Sequence, residues 1–361
     1  MNRKYNFFAG PATLPLPVLE QVRDELVDYN GIGLSLIETS HRSKEYDQVH
    51  NGAIALIKEL LAVPDNYKIL FLGGGATLQF SMIPLNFLGE GKSCDFTITG
   101  TWAKKAYSDS KKCGTVNVIF DGTENKFTTI PDASSLAITP DAAYLHITSN
   151  ETIQGIEWRD FPNTGNVPLI ADMSSDIMSR PLPIEKFGLI YAGAQKNLGP
   201  AGTALVIIRE DLIERCPDTL TAYLNYKNHA DKNSLYNTPP VFAIYTVKLV
   251  AEWVKKQGGL NAMTKLAEKR SSLLYNTIKQ SNGYYSCPVD KLSRSKMNVV
   301  FKLPDENLEK KFVEEATKQG MIGLKGHRSI GGCRASMYNA MPVEGATTLA
   351  DFMKKFAENS S

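Results

Sequence analysis

The sequence predicts an α/β protein: a mostly parallel, seven-stranded sheet with helices on both faces, followed by a smaller α+β C-terminal domain. Three observations predict it. Seven short β-rich runs recur, "YKILFL", "CDFTITGT", "TVNVIF", "AAYLHIT", "VPLIAD", "FGLIYAG" and "TALVIIR". Helix-length connections separate most of them, the pattern of βαβ units feeding a parallel sheet. The composition then shifts near "KKQGGLNAM", after which strands and helices follow in a different order.

Taken in order, "YKILFLGGG" (Tyr67 to Gly75) is a buried strand ending in glycines, and "TLQFSMIPLNFL" has helical spacing. "CDFTITGT" is a strand, followed by a helix-like "WAKKAYSDSKKCG" that Gly114 terminates. The next four runs supply further strands. "IYAGAQKNLGPAG" turns through a loop carrying Lys196 into "TALVIIR", another buried strand. "PPVFAIYTVKLVAEWVKKQ" reads as a long helix whose end carries Lys255, Lys256 and then Gly258. Beyond it lie a helix from Leu260 to Ser281, the strand "MNVVFKL", the helix "NLEKKFVEEATKQG", the strand "GGCRASMYN" and a final helix, "TTLADFMKKFAEN". This divides the chain into an N-terminal arm (1–15) packing near the small domain, a large domain (16–258) and a small α+β domain (259–361).

The 361 residues are 43% hydrophobic and 22% charged, with a formal charge of +2, enough for one large and one smaller domain. Near-neutrality gives no general nucleic-acid or membrane-surface signal, so any anion must be held by local clusters. Five widely spread cysteines without a C-x-x-C pair make neither a disulfide framework nor a zinc site, and no metal is expected. Neither a signal peptide nor a run of 18 apolar residues is present, and a cytoplasmic location is expected.

In an open parallel sheet, ligands bind beyond the carboxyl ends of the strands. The informative residues therefore follow each apolar run. Gly73 to Thr77 open a helix with glycine-rich backbone, a setting that favours an anion such as phosphate. Trp102 follows "FTITGT", either as core or as a plate for a planar ligand. Thr152 lies in "TSNETIQG" with a hydroxyl to offer. Asp172 ends "VPLIAD", either as a helix cap, which Ser174 and Ser175 make possible, or as a charge aimed into a site. Lys196 stands between two core strands, where an ammonium must be solvated, paired or covalently occupied. Together these groups suit pyridoxal phosphate, which needs a lysine for its aldehyde, a carboxylate for its ring nitrogen and a cradle for its phosphate.

At this point the chain resembles the phosphoserine aminotransferase family of class V, fold-type I pyridoxal-phosphate enzymes. The likeness spans essentially the whole chain. It is carried by "NFFAGPATLP", "SHRS", "GGGATLQF", "TGTWAKKA", "SNETIQG", "ADMSSD", "GAQKNLGPAG", "YNTPPVFAIY" and "GHRSIGGCRASMYNAM", in the expected order. The resemblance implies one pyridoxal 5'-phosphate per subunit in a Schiff base with Lys196, and Asp172 on the pyridinium nitrogen. It further implies Trp102 stacked on the ring, Thr152 near the phenolic oxygen, and Ala76, Thr77 and Gln195 at the phosphate. Asn237 and Thr238 would reach that phosphate from the neighbouring subunit of a homodimer. Arg334 would bind the substrate α-carboxylate; His327 and Arg328, with His41 and Arg42 of the partner, would hold the distal phosphate or carboxylate. Arginine's planar fork suits both groups. Some family members carry an arginine in the glycine-rich turn; here "GGGATLQF" implies one positive charge fewer in the anion pocket.

The implied reaction is amino transfer from glutamate to 3-phosphohydroxypyruvate, giving O-phosphoserine and 2-oxoglutarate in serine biosynthesis. A second phosphorylated 2-oxo acid, 3-hydroxy-2-oxo-4-phosphonooxybutanoate of the vitamin B6 route, is implied as an alternative substrate. The rival readings are a desulfurase-like lyase with Cys333 as nucleophile, a nicotinamide-dependent dehydrogenase using the glycine turn, and a non-catalytic binding protein of the same fold.

Overall fold

The structure, a computed structural model, describes residues 3–360, so the first two residues of the expected arm and the last of the expected small domain lie outside it. In chain order the elements begin with β1 (Tyr5–Asn6), α1 (Leu16–Glu25), α2 (Lys44–Leu61), β2 (Tyr67–Leu72), α3 (Gly75–Phe87), β3 (Ser93–Ile98), α4 (Thr101–Ser110) and β4 (Thr115–Asp121). Next come β5 (Leu145–Thr148), β6 (Asn150–Glu151), β7 (Ile156–Glu157), β8 (Leu169–Asp172), β9 (Phe187–Gly193) and β10 (Ala204–Arg209). The remainder comprises α5 (Glu210–Ile213), α6 (Tyr226–Asp231), α7 (Val241–Lys256), α8 (Gly259–Gln280), β11 (Asn298–Phe301), α9 (Glu306–Lys318), β12 (Met321–Ile322), β13 (Cys333–Ser336) and α10 (Val343–Ser360).

Seven strands form the main sheet in the order β2-β10-β9-β8-β5-β3-β4. All neighbours are parallel except β10, which runs antiparallel to both β2 and β9. Because β10 is reversed, its first residue lies at the edge where its neighbours end: Ala204 pairs with Leu72 and with Gly193. Thr148 pairs with Asp172, and Asp172 with Tyr191, along the same edge. The glycine turn, Asp172 and the Lys196 loop are thus delivered to one side of the sheet. Strands buried on both faces read as continuous apolar runs, as "ALVII" does.

One apolar core lies between the sheet and α2, α7 and α8, and includes Ile57, Phe71, Ile147, Leu205, Ile244 and Met263. The opposite face packs Phe80, Ile83, Phe96, Ala106 and Tyr226. A separate core joins β11, β13, α9 and α10 through Phe301, Phe312, Ala335 and Phe352. The N-terminal arm enters that core: β1 pairs in parallel with β12, and Phe7 is fully buried there. The arm then crosses the Lys196 loop, where the Ala12 N–H donates to the Gln195 carbonyl at 2.9 Å. Among the described residues no helix is long and apolar enough to cross a membrane, and no group of histidine, cysteine and acidic side chains could hold a metal ion.

Candidate active site

A cleft of about 730 Å³ opens at this edge of the sheet, lined by Gly74 to Thr77, Trp102, Lys105, Thr148, Thr152, Asp172, Gln195, Lys196, His327, Arg328 and Arg334. Ten of the residues picked from the sequence meet here: Lys196, Asp172, Ala76, Thr77, Trp102, Thr152, Gln195, His327, Arg328 and Arg334.

Lys196 sits on a turn just past β9 and donates from Nζ to Thr152 Oγ1 at 2.7 Å. Its ammonium is 5.7 Å from the Trp102 ring centroid. Burial disfavours the charged amine and pulls its pKa down to about 8, against the opposing pull of Asp172 and Glu151. Asp172 is buried, and burial raises its pKa while Ser174 and Lys196 draw it back. The sequence left two roles open for Asp172; no helix directly follows it, so it caps a turn and not a helix, while its side chain lines the cleft. Its Oδ1 accepts the Ser174 N–H at 2.8 Å, and the carboxylate faces the cleft shared with Lys196.

The glycine turn enters α3 through Gly74, whose φ of 79° is left-handed backbone. A Cβ there would lie 2.5 Å from Leu78 Cβ, so glycine is required. The first turn of α3, whose leading N–H groups have no intrahelical acceptor, thereby lines the cleft.

The start of α4 is held by a residue the sequence reading passed over. Glu151, fully buried, accepts the Trp102 N–H at 3.0 Å and the Ala103 N–H at 2.9 Å. Gln154 adds a contact to the Thr101 N–H at 3.3 Å and another to Thr101 Oγ1 at 2.8 Å. Gly100 admits this approach, since a Cβ would lie 2.5 Å from Glu151 Cδ. The short β6–β7 hairpin therefore fixes Trp102 from behind and presents Thr152 to Lys196. Burial pushes Glu151 up to about 7. Glu151 stands three residues past the strand, behind Thr148, Ser149 and Asn150, so no local mark set it apart in the sequence. Lys105, one turn after Trp102, also lines the cleft and was not singled out in the sequence.

Arg334, on β13, donates from Nη1 to the Thr152 carbonyl at 3.3 Å. It is buried, and its Nε has no protein partner. The His327 Nδ1 lies 2.7 Å from Ser329 Oγ. Burial, Arg334, Arg328 and Lys105 all depress the His327 pKa.

The remaining four predicted residues are not at this cleft. Arg42, Asn237 and Thr238 are exposed and His41 is half-buried. Their segments adjoin, because Tyr29, Leu36 and Tyr46 pack with Leu235 and Tyr245 in one cluster. Cys333 is buried in the core around Phe301 and Phe312 with its thiol pKa pushed up, and does not line the cleft. That location removes the desulfurase-like reading.

The residues present suit pyridoxal phosphate. The start of α3 lines the cleft, a lysine of lowered pKa shares it with a buried carboxylate, and the buried Trp102 Nε1 and Thr148 Oγ1 lack protein partners. The chain belongs to the class-V aminotransferase family, whose model matches residues 4–349. Within that family it is similar along its full length to phosphoserine aminotransferases. The Geobacillus kaustophilus protein of that name is 53% identical over 356 residues, covering 99% of each chain. The solved phosphoserine aminotransferase of Bacillus circulans subsp. alkalophilus is 49% identical with a TM-score of 0.98, covering 99% of each. That of Trichomonas vaginalis, solved with pyridoxal phosphate bound, is 41% identical with a TM-score of 0.89, covering 98% of this chain and 100% of that one.

Proposed function

We propose that this chain is a pyridoxal-phosphate-dependent phosphoserine aminotransferase. It moves an amino group reversibly between glutamate and 3-phosphohydroxypyruvate, giving 2-oxoglutarate and O-phospho-L-serine for L-serine biosynthesis. One observation carries the reading. Lys196, Asp172 and Trp102 share one cleft in a chain about half identical, end to end, to relatives of that name.

Bound pyridoxal phosphate supplies an aldehyde that condenses with amines and a protonated ring that takes up the electron pair left at a substrate Cα. Lys196 would hold that aldehyde. As a free amine it would take the Cα proton and return it to the neighbouring carbon, work that suits an amine whose pKa is lowered to about 8. Asp172 would keep the ring nitrogen protonated, its buried charge having few other partners. Trp102 offers a flat face for stacking, and Thr152 Oγ1 would meet the phenolic oxygen beside Lys196. The N–H groups at Ala76 and Thr77, with Gln195, would hold the phosphate. Arg334 suits the α-carboxylate because its unpaired buried Nε needs an acceptor, while His327 and Arg328 would hold the distal group.

The same reading makes the protein a homodimer in which His41, Arg42, Asn237 and Thr238 complete the partner's cleft. Their surroundings support it: Val27 is 80% exposed, Ile37 55% and Leu34 50%, and Tyr236 and Phe242 also face outward. Such a concentration of apolar surface marks an interaction face. We further propose a large domain over 16–258, a small one over 259–361 approached by the arm 1–15, and a cytoplasmic location; α8 links the two cores, with Met263 in one and Leu274 in the other. The phosphorylated 2-oxo acid 3-hydroxy-2-oxo-4-phosphonooxybutanoate is proposed as a second substrate.

The test is turnover of purified holoenzyme with glutamate and each phosphorylated 2-oxo acid, following 2-oxoglutarate. The expected protein is yellow, with a visible band that shifts on adding glutamate, and dimeric by sedimentation. A colourless protein that takes up no pyridoxal phosphate and forms no 2-oxoglutarate would refute the reading.

A further inference from the structure

We propose that Lys105 is a specificity-determining residue whose ammonium favours a substrate with a phosphate at its far end over one with a carboxylate there. This rests on the transaminase reading above and concerns how one cleft accepts two substrates of different charge.

Lys105 lies on α4, one turn beyond Trp102, and lines the same cleft as His327, Arg328 and Arg334. Its Nζ is 4.2 Å from the Trp102 ring centroid. A cation–π contact of this kind holds an ammonium in place without neutralising it. No carboxylate pairs with it among the described residues, in contrast to Lys112 just beyond the same helix, which pairs with Asp109 at 2.8 Å. Lys104 turns instead onto Phe127 and does not line the cleft. The Lys105 charge reaches the substrate wall, for it is one of the groups that depress the His327 pKa.

The charges then divide by task. Lys196 is committed to the chemistry and Arg334 to an α-carboxylate. The turn at Gly74, Gly75, Ala76 and Thr77 contributes no charged side chain. Lys105 and Arg328 remain from this chain for the distal group. The far carboxylate of glutamate carries one negative charge, whereas a phosphate monoester carries about 1.5 to 2 near neutral pH. A second cation therefore gains more from the phosphorylated substrate than from the dicarboxylate.

The experiment compares Lys105→Gln, Lys105→Arg and the control Lys104→Gln as holoenzymes. For Lys105→Gln the expected result is about a tenfold or greater rise in KM for O-phospho-L-serine, with the glutamate KM and both kcat values within about threefold. Lys105→Arg restores the KM, and Lys104→Gln leaves it unchanged. Calorimetric binding of 3-phosphoglycerate and of glutarate to the same holoenzymes gives a readout apart from turnover, and only the first should weaken. Equal loss for both ligands, no loss for either, or failure of arginine to rescue would overturn the proposal while wild-type turnover stands. A wild-type enzyme inert toward O-phospho-L-serine would overturn the functional reading and this proposal with it.

Discussion

Replacing Glu151 with alanine tests whether a buried carboxylate really holds the start of α4 under Trp102. Its two oxygens accept the Trp102 and Ala103 N–H groups at 3.0 and 2.9 Å. Alanine leaves both donors buried without partners, at about 1–3 kcal/mol each, or roughly 2–6 kcal/mol together. Against this stands the cost of keeping the charge away from water. Burial pushes the carboxyl from 4.5 up to about 7. A shift of that size corresponds to roughly 3 kcal/mol, because each pKa unit is worth about 1.4 kcal/mol. The sign follows from a folded pKa raised above the unfolded one. The favourable term is fully present below the unfolded value near 4.5, and is lost as pH rises through about 7. Glu151→Ala should therefore destabilise most near pH 5 and least near pH 8.5, the difference being about 2–3 kcal/mol. Urea unfolding of the cofactor-free full chain across this pH range measures it. A penalty that is flat with pH, or that grows as pH rises, would refute the reasoning.

Asp172→Asn removes a negative charge that holds the Lys196 pKa up, so that pKa should drop below about 8. The pH midpoint for cofactor uptake by the apo-protein should fall with it, and turnover should drop on the order of 10²–10³-fold. An unmoved midpoint would separate the two side chains electrostatically. Gly74→Ala puts a Cβ 2.5 Å from Leu78 Cβ on left-handed backbone. It should cost about 2–5 kcal/mol in urea unfolding and weaken cofactor binding in a spectral titration, and unchanged values would deny the turn its role. Cys333→Ser should keep turnover within about twofold and lose roughly 1–2 kcal/mol of stability. Loss of turnover in steady-state assays would return the thiol to the chemistry.

The sheet was legible because its strands are continuous apolar runs between helix-length connections, and "FGLIYAG" and "ALVIIR" could be little else. The order of those strands was not legible. Nothing local in "TALVIIR" says that it inserts antiparallel between β2 and β9, since pairing is decided by contacts far apart in the chain. The helices α1 and α2 also escaped notice. Signals were present in both: Pro17 stands in the first turn of α1, and α2 starts on Ser43, whose side chain accepts the Tyr46 N–H, with Glu45 and Asp47 in its first turn. Within the site, Lys196 and Asp172 stood out as charges at the ends of apolar strands. Glu151 did not, because its partners are two backbone N–H groups some fifty positions away. Lys105 reads as one of two adjacent surface lysines until the fold turns it toward His327.

The most direct test of the account is chemical. The yellow holoenzyme is reduced with borohydride and digested, and the peptide that retains the pyridoxyl group is located by mass spectrometry. The account predicts one modified site, Lys196, in the loop between β9 and β10. Modification of Lys105 or of any other lysine in its place, or none at all, would contradict it.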